Sequence, residues 1–156
     1  MTNMESAPMH ETLQVFHQEL LQLCDTLEII ADGLPDECSD QTLLTISRSI
    51  YPLVCRVHEF EEVEVFPYLV RLEGVPKRLT ESLERLQFEH WEDESFAEEL
   101  SENLRLYVTD PDGRNTPALA YMLRGFFEGL RRHIAFEADH LVPLLQPMPP
   151  LSQPAS

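Results

Sequence analysis

The stretch Leu13-Gln14-Val15-Phe16-His17-Gln18-Glu19-Leu20-Leu21-Gln22-Leu23-Cys24-Asp25-Thr26-Leu27-Glu28-Ile29-Ile30-Ala31 carries the periodicity that decides the fold. At 100° per residue, Leu13, Phe16, Leu20, Cys24, Leu27 and Ala31 fall on one stripe of a helix, with acidic and amide side chains on the other side. His17 lies inside that stripe, so an ionisable ring faces the core. The helix is predicted from about Ala7 to Asp32. It stops at Gly33-Leu34-Pro35-Asp36, a glycine just past the last turn followed by a proline.

Three further segments of the same kind follow. The second opens at Ser39-Asp40, both good N-caps, and runs to about Glu73, where Gly74-Val75-Pro76 ends it. Pro52 lies within it, removes one backbone donor and predicts a bend. The third extends from after Thr80 to Val108, before Asp110-Pro111-Asp112-Gly113. Thr116 as N-cap, with Pro117 at the first helical position, opens the fourth, which reaches about Leu145. Residues 147–156 contain Pro147, Pro149, Pro150 and Pro154 and are expected to form a disordered tail, leaving 1–146 as the domain. No internal repeat is read. Four long helices with short connections predict an all-α, antiparallel up-down-up-down four-helix bundle.

Composition agrees with one such domain. The chain has 156 residues, 43% of them hydrophobic, enough for a core without disulfides. Five glycines are too few for the turns of a β-sandwich or α/β fold. Cys24, Cys38 and Cys55 are odd in number and in no CxxC spacing, which argues against a disulfide framework and a thiolate zinc site. With 28 acidic and 11 basic residues, the net charge of −17 repels nucleic acid and anionic membranes. No apolar run approaches a membrane span, and Met1 to Met9 lacks the features of an export signal, so a cytoplasmic protein is expected.

The first helix's pattern recurs on the other three. Leu44, Tyr51, Val54, Cys55, Val65 and Leu69 share a face with His58 and Glu62. Leu83, Leu86, Ala97, Leu104 and Val108 surround His90, with Glu94 beside it, and Leu119, Met122, Phe126, Leu130, Phe136 and Leu144 surround His133 and Glu137. Height along the bundle follows by counting to the loop midpoints near 36, 76 and 113. His17 and His58 lie 19 and 22 residues from the first, His58 and His90 lie 18 and 14 from the second, and His90 and His133 lie 23 and 20 from the third. At 1.5 Å per residue the mismatch is about 6 Å, so the four imidazoles meet in one layer.

The HxxxE spacings of His58-Glu62 and His133-Glu137 offer a nitrogen and a carboxylate to one region from each of two helices. Four imidazoles, with Glu62 and Glu137 bridging, predict a two-metal site. A cation also compensates two glutamates that would otherwise be costly in an apolar core. Nitrogen and oxygen donors without thiolate favour two iron ions over manganese or zinc. Six side chains with two bridges supply four contacts per metal. A bridging oxo or hydroxo group adds one more, leaving a position for Glu94, water or a diatomic ligand. Glu61 is read as solvated at the edge of the stripe, His140 as solvated or core, and Cys55 as core filler.

At these residues the chain resembles the hemerythrin-like, or HHE cation-binding, family of non-haem di-iron four-helix bundles, over nearly its whole length. The resemblance is carried by Val15-Phe16-His17-Gln18-Glu19-Leu20, His58-Glu59-Phe60-Glu61-Glu62 running into Phe66-Pro67, Glu89-His90, and His133-Ile134-Ala135-Phe136-Glu137 running into Pro143. It implies His17, His58, His90 and His133 as terminal iron ligands and Glu62 and Glu137 as bridges. Oxygen-carrying hemerythrins have a second histidine on the third helix and a carboxylate five residues after the fourth helix's histidine, where this chain has Glu94 and Ala138. It looks closer to bacterial members with four histidines and two glutamates, which respond to oxygen, nitric oxide or iron, or repair iron–sulfur centres. The expectation is a module binding O₂ or NO for sensing or stress response. The alternatives are a di-iron oxidoreductase that consumes peroxide or NO or repairs iron–sulfur centres with electrons from a redox partner, and iron handling alone.

Overall fold

The computed structural model describes residues 7–72 and 74–146. The tail expected at 147–156 and the second segment's expected end at Glu73 lie outside the described residues. The elements are α1 (Met9–Gly33), α2 (Asp40–Phe60), a π turn (Glu61–Val65), α3 (Phe66–Arg71), α4 (Lys77–Thr109), a 3₁₀ turn (Pro111–Gly113), α5 (Thr116–His140) and α6 (Val142–Leu145). α2, the π turn and α3 follow one another without a break, so the described residues form four long rods and no strand. Short connections make successive rods antiparallel, which gives the expected up-down-up-down bundle. α1 packs most extensively on α5, and α2 on α4.

Local chemistry sets the ends. The Ser39 hydroxyl accepts the Thr42 N–H at 3.1 Å and caps α2 as expected. At α5 the cap is Asn115 rather than Thr116: the Asn115 Oδ1 accepts the Ala118 N–H at 3.1 Å. Thr116 is unavailable because its hydroxyl lies 2.9 Å from the Tyr107 hydroxyl, tying α5 to α4. Gly33 is the last residue of α1, not a left-handed residue beyond it, and the chain leaves through extended Leu34. The glycine serves close packing instead, since a Cβ there would meet Cys38 Sγ and Glu37 Cβ at 3.2 Å. Pro52 is contained in α2, whereas Pro143 ends the regular fourth helix early: it cannot donate to the Asp139 carbonyl, and α5 closes at His140.

The buried apolar residues form two clusters rather than one. The larger holds Leu20, Leu27, Val57, Ala97, Leu123 and Ile134, among others, and the smaller holds Leu13, Val65, Phe66, Leu86, Leu141 and Leu145, among others. Every rod crosses from one cluster to the other, and the crossing points are the positions around His17, His58, His90 and Glu137. A polar layer therefore divides the core. Tyr51, Phe136 and Leu144, counted in the inward stripes, are 40%, 40% and 39% exposed. No helix of the described residues is long and apolar enough to cross a membrane.

Candidate metal centre

The dividing layer is built from one or two side chains per rod. His17 comes from α1, His58 from α2, Glu61 from the first position of the π turn, His90 from α4, and His133 and Glu137 from α5. Glu61, His90 and Glu137 are at most 1% exposed, and His17 and His58 are buried with them. One oxygen of Glu137 lies 2.7 Å from His17 Nε2, while the other lies 2.9 Å from His133 Nε2 and 3.9 Å from His90 Nε2. Glu61 repeats the arrangement, with one oxygen 3.8 Å from His17 Nε2 and the other 2.9 Å from His90 Nε2. Each carboxylate thus spans from His17 on one side to the α4 and α5 imidazoles on the other. Ligating atoms of Glu61, His90, His133 and Glu137 all lie within 4.8 Å of one another. His58 joins through its ring, stacked on that of His90 at 3.7 Å and 6°.

The expected burial of two adjacent glutamates requires a correction on one helix. Glu61, read from the sequence as solvated, is 1% exposed and central. Glu62, expected to be the buried bridge, keeps its side chain 34% exposed and reaches the outer nitrogen of His90, Nδ1, at 3.2 Å. Counting at 100° per residue assumes α geometry, but residues 61–65 form a π turn closed by the Phe66 N–H donating to the Glu61 carbonyl. The extra residue in that turn makes Glu61, where α pitch would make Glu62, the residue one turn before buried Phe66, so Glu61 shares the inward face with Phe66. Pro67 directly follows the residue that closes this turn. It has no N–H for the Val63 carbonyl and would crowd it in a tight α turn, and a wider turn before it eases that crowding.

An internal repeat, absent from the reading of the sequence, would have found Glu61. Glu61 and Glu137, Val65 and Leu141, Phe66 and Val142, Pro67 and Pro143, and Leu69 and Leu145 are each 76 positions apart. The two glutamates are buried, and so are the three apolar pairs. Spacing from the histidine selects Glu62, but spacing back from the proline selects Glu61. The remaining expected residues distribute as follows. Glu94 is half-buried with Oε1 3.3 Å from His58 Nδ1. His140 is exposed and packs against Phe136 at 4.5 Å with the rings tilted by 44°. Cys24, Cys38 and Cys55 are all free, and none is in the cluster.

The charges of this layer are tightly interlocked. Burial by itself lowers the pKa of His17 and of His90, but the Glu137 and Glu61 carboxylates beside them hold the two up at about 9 and about 10. Burial pushes His58 down to about 3, aided by the neighbouring His90 and His133. Burial and then the Glu137 charge raise Glu61, whereas Glu137 is held well below the usual carboxylate range because His133, His17 and His90 outweigh its burial. Protons on His17 and His90 therefore hold the metal-free layer together. Their folded pKa values exceed the unfolded value near 6.5, so their stabilisation is complete below that pH and is lost as pH rises through about 9 to 10. Chelator-treated protein is predicted to need progressively less urea to unfold between pH 6.5 and 10. A flat profile across that window would contradict the arrangement.

The layer also fits a metal on its own evidence. Glu61 Oε2 and His90 Nε2 are buried and 2.9 Å apart without the alignment of a hydrogen bond, so in the metal-free layer they are held by charge alone. Two orphaned donor atoms facing each other in an apolar core are costly in water-free surroundings, and a cation between such groups satisfies both. The donors are imidazole nitrogens and carboxylate oxygens, a set suited to iron, manganese or zinc. Beside this layer a cavity of about 510 Å³ opens between α4 and α5, lined by Glu89, Asp93, Arg132, His133 and Phe136 among others, so His133 is reachable from solvent.

Comparison with known proteins agrees with this arrangement. The family model described as hemerythrin HHE cation binding domain matches residues 9–145. No curated protein and no solved structure matches.

Proposed function

The chain belongs to the hemerythrin HHE cation-binding family, and from that premise we propose that it is a di-iron module that binds O₂ or NO for sensing or stress response. One observation carries the dinuclear reading: Glu61 and Glu137 each direct one oxygen to His17 and the other to His90 or His133. Two carboxylates that straddle the same pair of positions are what a bridged two-metal centre requires. In this reading His17, His58, His90 and His133 are the terminal ligands, and Glu61 takes the bridging place with Glu137. Nitrogen and oxygen donors without thiolate support iron over zinc.

The bound iron pair would supply redox chemistry toward a small diatomic molecule. The protein's own residues do the rest. The two apolar clusters close the layer above and below and exclude water from it. The α4–α5 cavity leaves His133 as the side approached by a small molecule. Glu89, with Oε2 3.6 Å from His133 Nδ1, and Asp93 line that approach together with Arg85 and Arg132, which makes it polar and of mixed charge.

The test is to expose iron-loaded, reduced protein to O₂ or NO in a sealed cuvette. A sensing module gives one change of the near-ultraviolet and visible spectrum per iron pair, and the changed species persists. Sustained consumption of NO or peroxide faster than about one per second with added reductant, the low end of ordinary enzyme rates, would overturn the sensing role in favour of an oxidoreductase fed by a redox partner.

A further inference from the structure

We propose that Glu62 and Glu94 are a reciprocal pair of positioning residues that orient His90 and His58 toward the metal pair, rather than metal ligands themselves. This rests on the di-iron reading above. Across the α2–α4 interface each rod gives the other a carboxylate. Glu62 Oε1, just after α2, lies 3.2 Å from Nδ1 of His90 on α4, and Glu94 Oε1 on α4 lies 3.3 Å from Nδ1 of His58 on α2. Between them the two imidazoles stack at 3.7 Å and 6°. Both carboxylates are about one-third exposed, at 34% and 31%, whereas the rings they touch are buried.

Position and chemistry point the same way. A carboxylate on Nδ1 holds the proton there, which leaves Nε2 as the lone-pair donor and fixes the plane of the ring. For His90, Nε2 is the atom that faces Glu61 and Glu137. The rings' other neighbours act on their faces or on the inner nitrogen: Phe66 stacks on His90 at 5.4 Å, and His133 lies tilted from His90 at 5.4 Å and from His58 at 6.4 Å, so the carboxylates are the contacts on the two outer nitrogens. Glu89 does not belong to the pair, since it stands 3.6 Å from His133 Nδ1, outside hydrogen-bond reach, and shares its charge with Arg85 at 3.3 Å.

The experiment is an anaerobic ferrous titration of wild type, Glu62→Gln, Glu94→Gln and Glu98→Gln, followed by measurement of each midpoint potential. Glutamine keeps shape and helical fit, so a structural role alone would leave the potential in place, and exposed Glu98 controls for the general loss of one negative charge. Glu62→Gln and Glu94→Gln should each weaken apparent iron affinity by about 10- to 100-fold. Both should still fill to two irons per chain and raise the potential relative to Glu98→Gln. A Glu62→Gln protein that saturates at one iron while wild type holds two would make Glu62 a ligand and overturn the proposal, as would affinity and potential equal to the Glu98→Gln control. A wild-type protein that holds no iron pair would instead refute the di-iron reading on which the proposal stands.

Discussion

Loading chelator-treated protein with ferrous iron should raise its melting temperature by about 10 °C. The metal-free layer places two glutamates and three imidazoles in a buried band with half-buried His133 at its edge, and Glu61 Oε2 and His90 Nε2 lack hydrogen bonds. It is held by protons that His17 and His90 keep well above neutrality. Metal binds only the folded arrangement, because the six side chains come from four rods. Iron at a thousand times its dissociation constant then adds about 4 kcal/mol of stability, and a domain of this size gains roughly 2–4 °C per kcal/mol. Anaerobic calorimetry of the two forms measures the difference directly. Coincident melting curves would mean that the layer is an ordinary set of buried ion pairs.

Replacing Glu137 by alanine should remove both irons rather than one. Its two oxygens contact His17 and His133 and approach His90, so no other side chain touches as much of the centre. Loss of one of the two proposed bridges would leave only Glu61 spanning from His17 to the opposite side, and iron affinity should fall by more than about 100-fold, past the cost of removing an outer partner. The metal-free form should also weaken, by about 1–3 kcal/mol, because the buried His17 and His133 N–H groups lose their acceptor. Metal titration and urea unfolding of Glu137→Ala read the two effects separately. An iron content equal to wild type would remove Glu137 from the bridging position.

Much of this was legible in the sequence, and the exceptions have physical causes. The four stripes place His17, His58, His90, His133 and Glu137 inward, and counting residues to the loops places them at one height, because long straight helices obey a fixed pitch and rise. That arithmetic fails at Glu61, where a π turn changes which of two adjacent glutamates shares the inward face with the residues that follow. The signal was present in the proline: Glu61 and Glu137 each precede a proline by six residues. The cap of α5 was misplaced by one residue, since Thr116 uses its hydroxyl on Tyr107 and a contact between helices cannot be read from one of them. Nor does periodicity reveal the outer carboxylates, because Glu62 and Glu94 act on histidines of the opposite rod.

The central claim is a pair of irons bridged by Glu61 and Glu137. It is tested most directly by Mössbauer spectroscopy with metal counting on protein loaded anaerobically with ⁵⁷Fe and then oxidised. The account predicts two irons per chain that are magnetically coupled, with no signal from isolated ferric ions. Saturation at one iron per chain, or two irons without coupling, would contradict it.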